Sequence, residues 1–177
     1  MKHIILILLT MMATSSFAQS SDKQLQFMDI PIGGTLNDFV EKLDKAGYSI
    51  KEKNDTSAFL IGNFACYRKC DITILKSKTN DWVKKVGVCL PVSKKWEMLL
   101  SNYFVLKNTL TRDYGYPTDG QETFINGQQP ADDKEKMEML DNGKCFYESI
   151  FRAQDGEITL TITRNNNVLL MFTSDFY

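Results

Sequence analysis

Histidine is almost absent from this chain. The only one in 177 residues is His3, and it lies in a segment that we expect to be removed. A mature chain without imidazole cannot carry out Ser-His or Cys-His nucleophilic catalysis, and it cannot build the histidine-containing zinc sites of hydrolases. No phosphate-cradling glycine loop is present either. We therefore expect a protein that is not an enzyme and has no catalytic, cofactor-binding or metal-binding residues.

Long apolar runs are also missing beyond the start of the chain. Residues 1–18 have the pattern of a signal peptide, with a basic start, a mostly apolar stretch over residues 4–13 and a small-x-small cleavage site at Ser16-Phe17-Ala18. The apolar stretch is shorter than the roughly 20 residues that span a bilayer, and no cysteine follows the cleavage site to carry a lipid. We expect residues 19–177 to be a single periplasmic or extracellular domain without a membrane span.

The chain lacks a charge of one sign. Without residues 1–18 it carries 20 basic and 22 acidic residues, so its bulk charge does not favour nucleic acid as a partner. The local balance is uneven, because residues 66–95 hold eight basic and two acidic residues, whereas residues 119–141 hold seven acidic and two basic ones. These segments are either solvated surfaces or, for the first, a basic surface open to an acidic partner.

Two stretches with alternating apolar residues resemble each other. Residues 70–90 and residues 156–172 each contain two alternating runs joined by a polar turn, and Asp71-Ile72-Thr73-Ile74 aligns with Glu157-Ile158-Thr159-Leu160. Alternation with period two, bounded by Asn, Asp and Ser, predicts strands, and the short links predict hairpins. The chain is therefore expected to contain two related units.

A helix is expected before each hairpin. Thr35 with Asp38 predicts the start of the first helix, Gly47 its end, and Ser93 the start of the second. Apolar residues recur at helical spacing in both, at Leu36, Phe39, Val40 and Leu43, and at Trp96, Leu99, Leu100, Tyr103, Leu106, Leu110 and Tyr114.

These patterns predict the fold class and its division. We expect an α+β fold of two tandem helix-plus-antiparallel-meander units, with the helices packed on one face of the sheet. The two pseudo-repeats cover about residues 27–91 and 92–177, and the second contains an acidic insertion at about residues 126–143. The last strand, residues 168–173, is apolar at both odd and even positions, which predicts that both of its faces are covered.

Strand register can be proposed for the first meander. Turns centred on Arg68 and Thr79 place Cys66 opposite Cys70 and leave Cys89 pointing away from the inner side. The expected inner residues are Gly62, Phe64, Cys66, Cys70, Ile72, Val86, Val88 and Leu90.

Four cysteines in an exported chain favour disulfides. The register above favours Cys66 with Cys70 and Cys89 with Cys145, since opposed strand residues lie at about the separation that a disulfide needs. A redox site at Cys66 and Cys70, or a four-cysteine zinc site, are the alternatives, although neither spacing matches the usual patterns.

Several motifs resemble a known group of proteins. They are Ile30-Pro31-Ile32-Gly33-Gly34-Thr35-Leu36 followed by Phe39, Leu43 and Gly47-Tyr48, then Leu60-x-Gly62-x-Phe64-Ala65, and then Trp96, Tyr103, Leu106-Lys107 and Tyr114-Gly115-x-Pro117. This set resembles small secreted proteins of unknown function that are common in gut anaerobic bacteria. The layout is similar to beta-lactamase inhibitor protein and to the small helix-and-sheet lipoproteins of outer-membrane assembly. The resemblance implies a sheet that presents one face to another macromolecule.

The expected function is that of an exported, non-catalytic binding module, and the resemblance implies an inhibitor-like one. It would contact an unidentified protein or envelope component through the sheet face and loops, with Tyr67, Arg68, Lys69 and Lys84 as the predicted contact residues. A histidine-free glycan-active enzyme that uses paired carboxylates is one alternative. A structural protein or carrier of an apolar ligand is the other.

Overall fold

A computed structural model describes residues 23–176 of the chain. The predicted signal peptide, residues 1–18, lies outside the described residues. The first half contains β1 (Gln26–Phe27), β2 (Ile30–Pro31), α1 (Leu36–Lys45), β3 (Ser49–Lys53), β4 (Ser57–Phe64), β5 (Tyr67–Lys76) and β6 (Val83–Cys89). The second contains α2 (Trp96–Tyr114), β7 (Asp119–Phe124), a 3-10 turn (Ile125–Gly127), α3 (Asp133–Asp141), β8 (Cys145–Ala153), β9 (Gly156–Thr163) and β10 (Asn167–Ser174).

Eight strands form one antiparallel sheet in the order β3-β4-β5-β6-β10-β9-β8-β7. Each half of the sheet is a four-strand meander that follows one helix, and the halves meet where β6 pairs with β10. The segments that align in sequence form β5 and β9, the third strand of each meander. The predicted α+β class, with two helix-plus-meander units and the helices packed on the sheet, is confirmed.

Helix α1 begins and ends where the sequence predicts. The Thr35 hydroxyl accepts a hydrogen bond from the Asp38 backbone N–H at 3.2 Å, which satisfies one of the unpaired donors of the first turn. The helix ends at Lys45, and Gly47 follows with φ of 92°, a conformation that favours glycine. The four apolar residues at helical spacing are all buried.

Helix α2 starts two residues later than predicted. Its N-cap is Lys95, and the Ser93 hydroxyl accepts from the Lys95 backbone N–H at 3.2 Å without capping the helix. The predicted apolar residues are buried, apart from Leu100, which is partly buried. The helix ends before Gly115, whose φ is 85°. This long helix lies against β8, β9 and β10.

The acidic segment at about residues 126–143 is more ordered than a polar loop. Asp132 caps α3 by accepting from the Glu135 N–H at 2.9 Å, and the Glu135 carboxylate accepts from the N–H of Ala131, the residue before the cap, at 2.6 Å. Met139 and Leu140 are buried against the core. The acidic side chains therefore lie on a helix that is fixed to the rest of the domain.

The core lies between the helices and one side of the sheet. Leu60, Ile72, Val88, Leu170 and Leu160 are paired across neighbouring strands and are all buried. The short β1–β2 hairpin closes one end, where the Phe27 ring packs against the rings of Tyr48, Phe64 and Phe172 at centroid distances of 5.7 to 5.9 Å.

Candidate protein-binding surface

The sheet side away from the core is here called the open face, and its residues form three rows paired across the strands. The upper row is Ile61, Asp71, Cys89, Leu169, Thr161 and Glu148. The middle row is Phe59, Thr73, Gly87, Met171, Thr159 and Ile150. The lower row is Leu75, Lys85, Thr173, Glu157 and Arg152. None of these residues belongs to the apolar core of residues 23–176 or packs on it.

The open face is unusually apolar for the outer side of an antiparallel sheet, which commonly carries polar residues. Leu169 and Met171 of β10 are only half-buried there, and Phe59 of β4 is 39% exposed. Threonines separate these side chains along the rows. The arrangement is a mixed apolar and hydroxyl surface with charges mainly in its upper and lower rows.

The prediction that both faces of the last strand are covered is wrong for the described residues. Val168, Leu170 and Phe172 are buried on the core side, whereas Leu169 and Met171 lie on the open face. The even-numbered and odd-numbered positions of β10 are therefore apolar for different reasons. One set builds the core, and the other forms the centre of the open face.

Glycine and methionine share the centre of the middle row. Gly87 lies on β6 between Thr73 of β5 and Met171 of β10. A Cβ added to Gly87 would lie 3.1 Å from Met171 Cε and 3.8 Å from Thr73 Cβ. Met171 therefore reaches over the glycine and fills the space that a side chain would otherwise take.

Three of the predicted contact residues, Tyr67, Arg68 and Lys69, lie beyond the upper row. The β4–β5 turn is Ala65-Cys66 rather than a turn centred on Arg68, since Phe64 pairs with Tyr67 and Gly62 pairs with Cys70. A register shift between these pairs coincides with Lys69, whose φ is 57°, as expected at a β-bulge. Arg68 and Lys69 are exposed.

Tyr67 differs from its two neighbours, because it packs partly against the core. Burial raises the pKa of its phenol to about 12, so the side chain is neutral at physiological pH. Its role in the structure is at least partly to support the hairpin.

The fourth predicted residue, Lys84, lies near the start of β6, where the pairing with β5 shifts register between Val83 and Lys85, and it is not one of the residues of the open face. Its Nζ donates to the Phe176 carbonyl at 3.1 Å. The hairpin and Lys84 are separated by the length of β5, about 30 Å for ten residues at 3.3 Å each. The structure does not bring the four predicted residues into one cluster, and their role in binding stays a prediction.

The predicted disulfides are not formed, and all four cysteines are free thiols in the structure. Cys89 lies on the open face of β6, whereas Cys145 is buried on the core side at the start of β8. Their strands are separated by β10 and β9, so the gap is about 14 Å, more than twice the Cα separation of a disulfide. The Cys66–Cys70 prediction assumed a wrong register, because Cys66 is exposed in the turn and Gly62 opposes Cys70.

Carboxylates also line a shallow groove of about 460 Å³ at the β7 edge of the sheet. Asp119, Glu122 and Glu148 lie around it with Lys107 and the exposed Tyr116. The Lys107 ammonium pairs with Glu122 at 2.5 Å, which neutralises much of the charge of one carboxylate.

A buried hydroxyl pair lies beside this groove and joins α2 to β8. The Tyr103 phenol and the Ser149 hydroxyl are 2.7 Å apart, and Ser149 also lines the groove. Burial raises the pKa of the Tyr103 phenol well above its usual range, and the Glu122 carboxylate adds to the shift. The phenol is therefore a neutral donor and acceptor.

The sequence did not identify the centre of the open face as a site. Two sequence signals point to this surface, namely the apolar residues at both odd and even positions of β10 and the apolar run Ala58-Phe59-Leu60-Ile61.

Among residues 23–176, no group of His, Cys, Asp and Glu side chains is arranged to hold a metal ion. The helices of that same stretch are too short or too polar to cross a membrane. Comparison of the chain with protein-family models, curated proteins and solved structures finds no match.

Proposed function

We propose that this chain is an exported, non-catalytic binding module that contacts a protein partner through the open face and the loops at its edges. The observation that supports this most is the position of Leu169 and Met171. They are apolar, lie on a central strand, and are only half-buried within the part of the chain that the structure describes, outside its apolar core. Contiguous exposed apolar surface with a polar rim is typical of an interaction site.

The charges of the first meander favour a partner with acidic groups near the β4–β5 hairpin. The meander of β3 to β6, residues 49–89, carries eight basic and four acidic residues. Arg68 and Lys69 are exposed beyond the upper row, whereas the rows of the open face hold side chains of both signs, namely Asp71, Glu148, Glu157, Lys85 and Arg152. Such flanking charges contribute mainly to association rate and specificity, whereas a buried apolar centre contributes most of the affinity. An inhibitor-type role, which the resemblance implies, would use the same face.

Matched charge insertions test this function. Leu169→Glu and Met171→Glu place a carboxylate on the open face, and Met98→Glu places one on α2 at a side chain that is 50% exposed. We expect a specific envelope protein to be recovered with the wild type and with Met98→Glu, and to be lost with both open-face variants. Arg68→Glu with Lys69→Glu should also weaken recovery, because it reverses the charge of the upper edge.

The outcomes are distinguishable once each variant is shown to be folded by circular dichroism. Equal recovery by all variants would contradict a role of the open face. Recovery that is lost only with Met98→Glu would place the interface on the helices. If the recovered protein is a second copy of the chain, the module is a self-associating protein, and the proposal of a different partner fails.

A second candidate function is glycan hydrolysis, favoured by the carboxylates of the β7 groove. Paired carboxylates about 5 to 10 Å apart are the usual machinery of that reaction. We expect no hydrolysis of chromogenic glycosides by the wild type, since Glu122 is paired with Lys107. Turnover that disappears with both Glu122→Gln and Glu148→Gln would establish the enzyme and contradict the non-catalytic proposal.

A further inference from the structure

We propose that a groove at the β3 edge of the sheet, here called the lysine groove, binds a carboxylate of an acidic segment of the partner between Lys51 and Lys69. This inference rests on the proposed function, and it adds a contact point beside the β4–β5 hairpin. The groove has a volume of about 460 Å³. Its polar side chains are Lys51, Lys69, Ser49 and Asn63, and no carboxylate belongs to its lining.

Two β-bulges border the lysine groove and place its cations. The pairing of β3 with β4 shifts register at Lys51, which has no partner on β4. The pairing of β4 with β5 shifts at Asn63, which lies opposite Arg68 and Lys69 together. Bulges are common at sheet edges and next to functional sites, where they redirect a side chain. The backbones of three strands therefore bring two lysines to one groove.

The backbone beside the groove is held by Tyr48. Its hydroxyl donates to the Asn63 carbonyl at 2.7 Å. Its ring lies against Gly62, where an added Cβ would come 2.2 Å from Tyr48 Cδ1. The bulge at Asn63 is therefore ordered without a ligand, which lowers the entropic cost of binding.

The charge of the groove is not compensated within the domain. No ion pair joins Lys51 or Lys69 to a carboxylate among residues 23–176. The strands β3 and β5 are two strand spacings apart, about 10 Å, and both side chains have long, flexible stems. One carboxylate over β4 can therefore contact both ammonium groups. Concave sites lined by charge of one sign attract the opposite charge.

Two acidic residues neighbour the groove in the strand register, and neither lines it. Asp71 pairs with Ile61 of β4. Burial and, after it, the Asp71 carboxylate raise the pKa of the Cys89 thiol, so this carboxylate lies toward β6. Glu52 pairs with Phe59 in the middle row.

The groove favours a singly charged carboxylate over phosphate. Gly47 belongs to its lining and follows the C-terminal end of α1, and a helix C-terminus carries a partial negative charge. Phosphate sites commonly use a helix N-terminus or arginine forks, and neither contributes to this lining. An acidic peptide segment is therefore the occupant that fits best.

NMR titration of the mature protein, residues 19–177, tests the groove directly. The probes are acetyl-Gly-Glu-Glu-Gly-amide and acetyl-Gly-Gln-Gln-Gly-amide, which have similar shapes and differ in charge. We expect the glutamate peptide to shift the Ser49 and Asn63 amide signals roughly threefold more than the glutamine peptide, because only its carboxylates pair with the lysines. Equal responses to the two peptides would overturn the inference. A larger response to inorganic phosphate or to digalacturonic acid at equal concentration would assign a different occupant and would also overturn it.

Charge-removing variants separate the groove from the overall charge. Lys51→Gln and Lys69→Gln should each weaken binding of the glutamate peptide about two- to fivefold, in line with the modest energy of exposed ion pairs. Lys53→Gln is the matched control, because it removes the same charge two residues along β3 from a side chain that lines a different groove. It should leave binding unchanged. Equal losses with Lys53→Gln and Lys51→Gln would show a response to net charge alone and would contradict the site.

The inference and the proposed function can fail separately in the recovery of the envelope protein. If Leu169→Glu abolishes recovery while Lys51→Glu leaves it unchanged, the open face is the interface and the lysine groove is wrong. If recovery falls with Lys51→Glu and not with Leu169→Glu, the groove stands and the role of the open face fails. Unchanged recovery with both variants would contradict both proposals. Reduced recovery with Lys51→Glu and full recovery with Lys53→Glu supports the groove.

Discussion

The buried hydroxyl pair between α2 and β8 gives a quantitative test of how the helix layer is held on the sheet. Tyr103 is 0% exposed and Ser149 is 2% exposed, and their oxygens are 2.7 Å apart. Tyr103→Phe leaves the serine hydroxyl without the phenol, whereas Ser149→Ala removes one of two partners of the phenol, which also interacts with the Glu122 side chain. A buried polar group left unpaired costs about 1–3 kcal/mol, so Tyr103→Phe should lose about that much stability and Ser149→Ala should lose about 1 kcal/mol.

The double variant should cost much less than the sum of the two. Removing both polar groups leaves apolar atoms of nearly the same shape, which can be close to neutral. We therefore expect a coupling energy of about 1–2 kcal/mol in the double-mutant cycle. In thermal unfolding each single variant should lower Tm by roughly 2–4 °C per kcal/mol for a domain of this size.

Urea and thermal unfolding followed by circular dichroism measure these quantities. Ser101→Ala is the matched control, because Ser101 is exposed on α2 and should change stability by less than about 0.5 kcal/mol. Additive effects of Tyr103→Phe and Ser149→Ala, within about 0.5 kcal/mol, would refute the reasoning that the two hydroxyls depend on each other.

Three further predictions follow from the packing. Gly62→Ala should destabilise the domain by about 1–3 kcal/mol, because a Cβ there would overlap the Tyr48 ring, which is fixed by the hydrogen bond from its hydroxyl to the Asn63 carbonyl. Burial raises the pKa of the Cys145 thiol from 9.0 to about 12, so the unfolded state loses this proton at a lower pH than the folded state. The free energy of unfolding measured in urea should therefore keep its full value below pH 9 and decline as the pH rises toward 12. Cys145→Ser should flatten that decline, and a pH profile that the substitution leaves unchanged would contradict the prediction. Mass spectrometry without reduction should find no intramolecular Cys89–Cys145 bridge, and detection of that bridge would contradict the strand order.

Where local signals and tertiary packing agree, the sequence predicts the structure well. The Thr35 cap, the apolar residues of α1 and the glycine at position 47 each have one physical cause, and all three are observed. The repeated strand pattern also predicts the two meanders, because period-two alternation with short polar links leaves few other arrangements.

The β4–β5 hairpin shows what local signals cannot provide. Ala65 adopts φ of 50° and Lys69 adopts 57°, conformations that usually favour glycine or asparagine. Local signals therefore predict a turn at the polar residues around Arg68 and not at Ala65-Cys66. The error of register followed, and with it the Cys66–Cys70 disulfide prediction.

The open face could not be predicted because sequence patterns do not say what covers a strand. Leu169 and Met171 have the composition of core residues, and the natural inference from them is a second covering layer. Which side stays open depends on where α1 and α2 pack. Nothing in the sequence marks Gly87, because its contact with Met171 depends on the pairing of β6 with β10.

Site-specific photo-crosslinking in intact cells tests the central claim most directly. A photoreactive phenylalanine analogue would replace Leu169 on the open face or Met98 on α2, where Met98 is the more exposed of the two side chains. The account predicts one discrete cross-linked product containing a different, acidic protein from position 169, and none of that product from position 98. Cross-linking of the same protein from position 98 only, or from neither position, would contradict it.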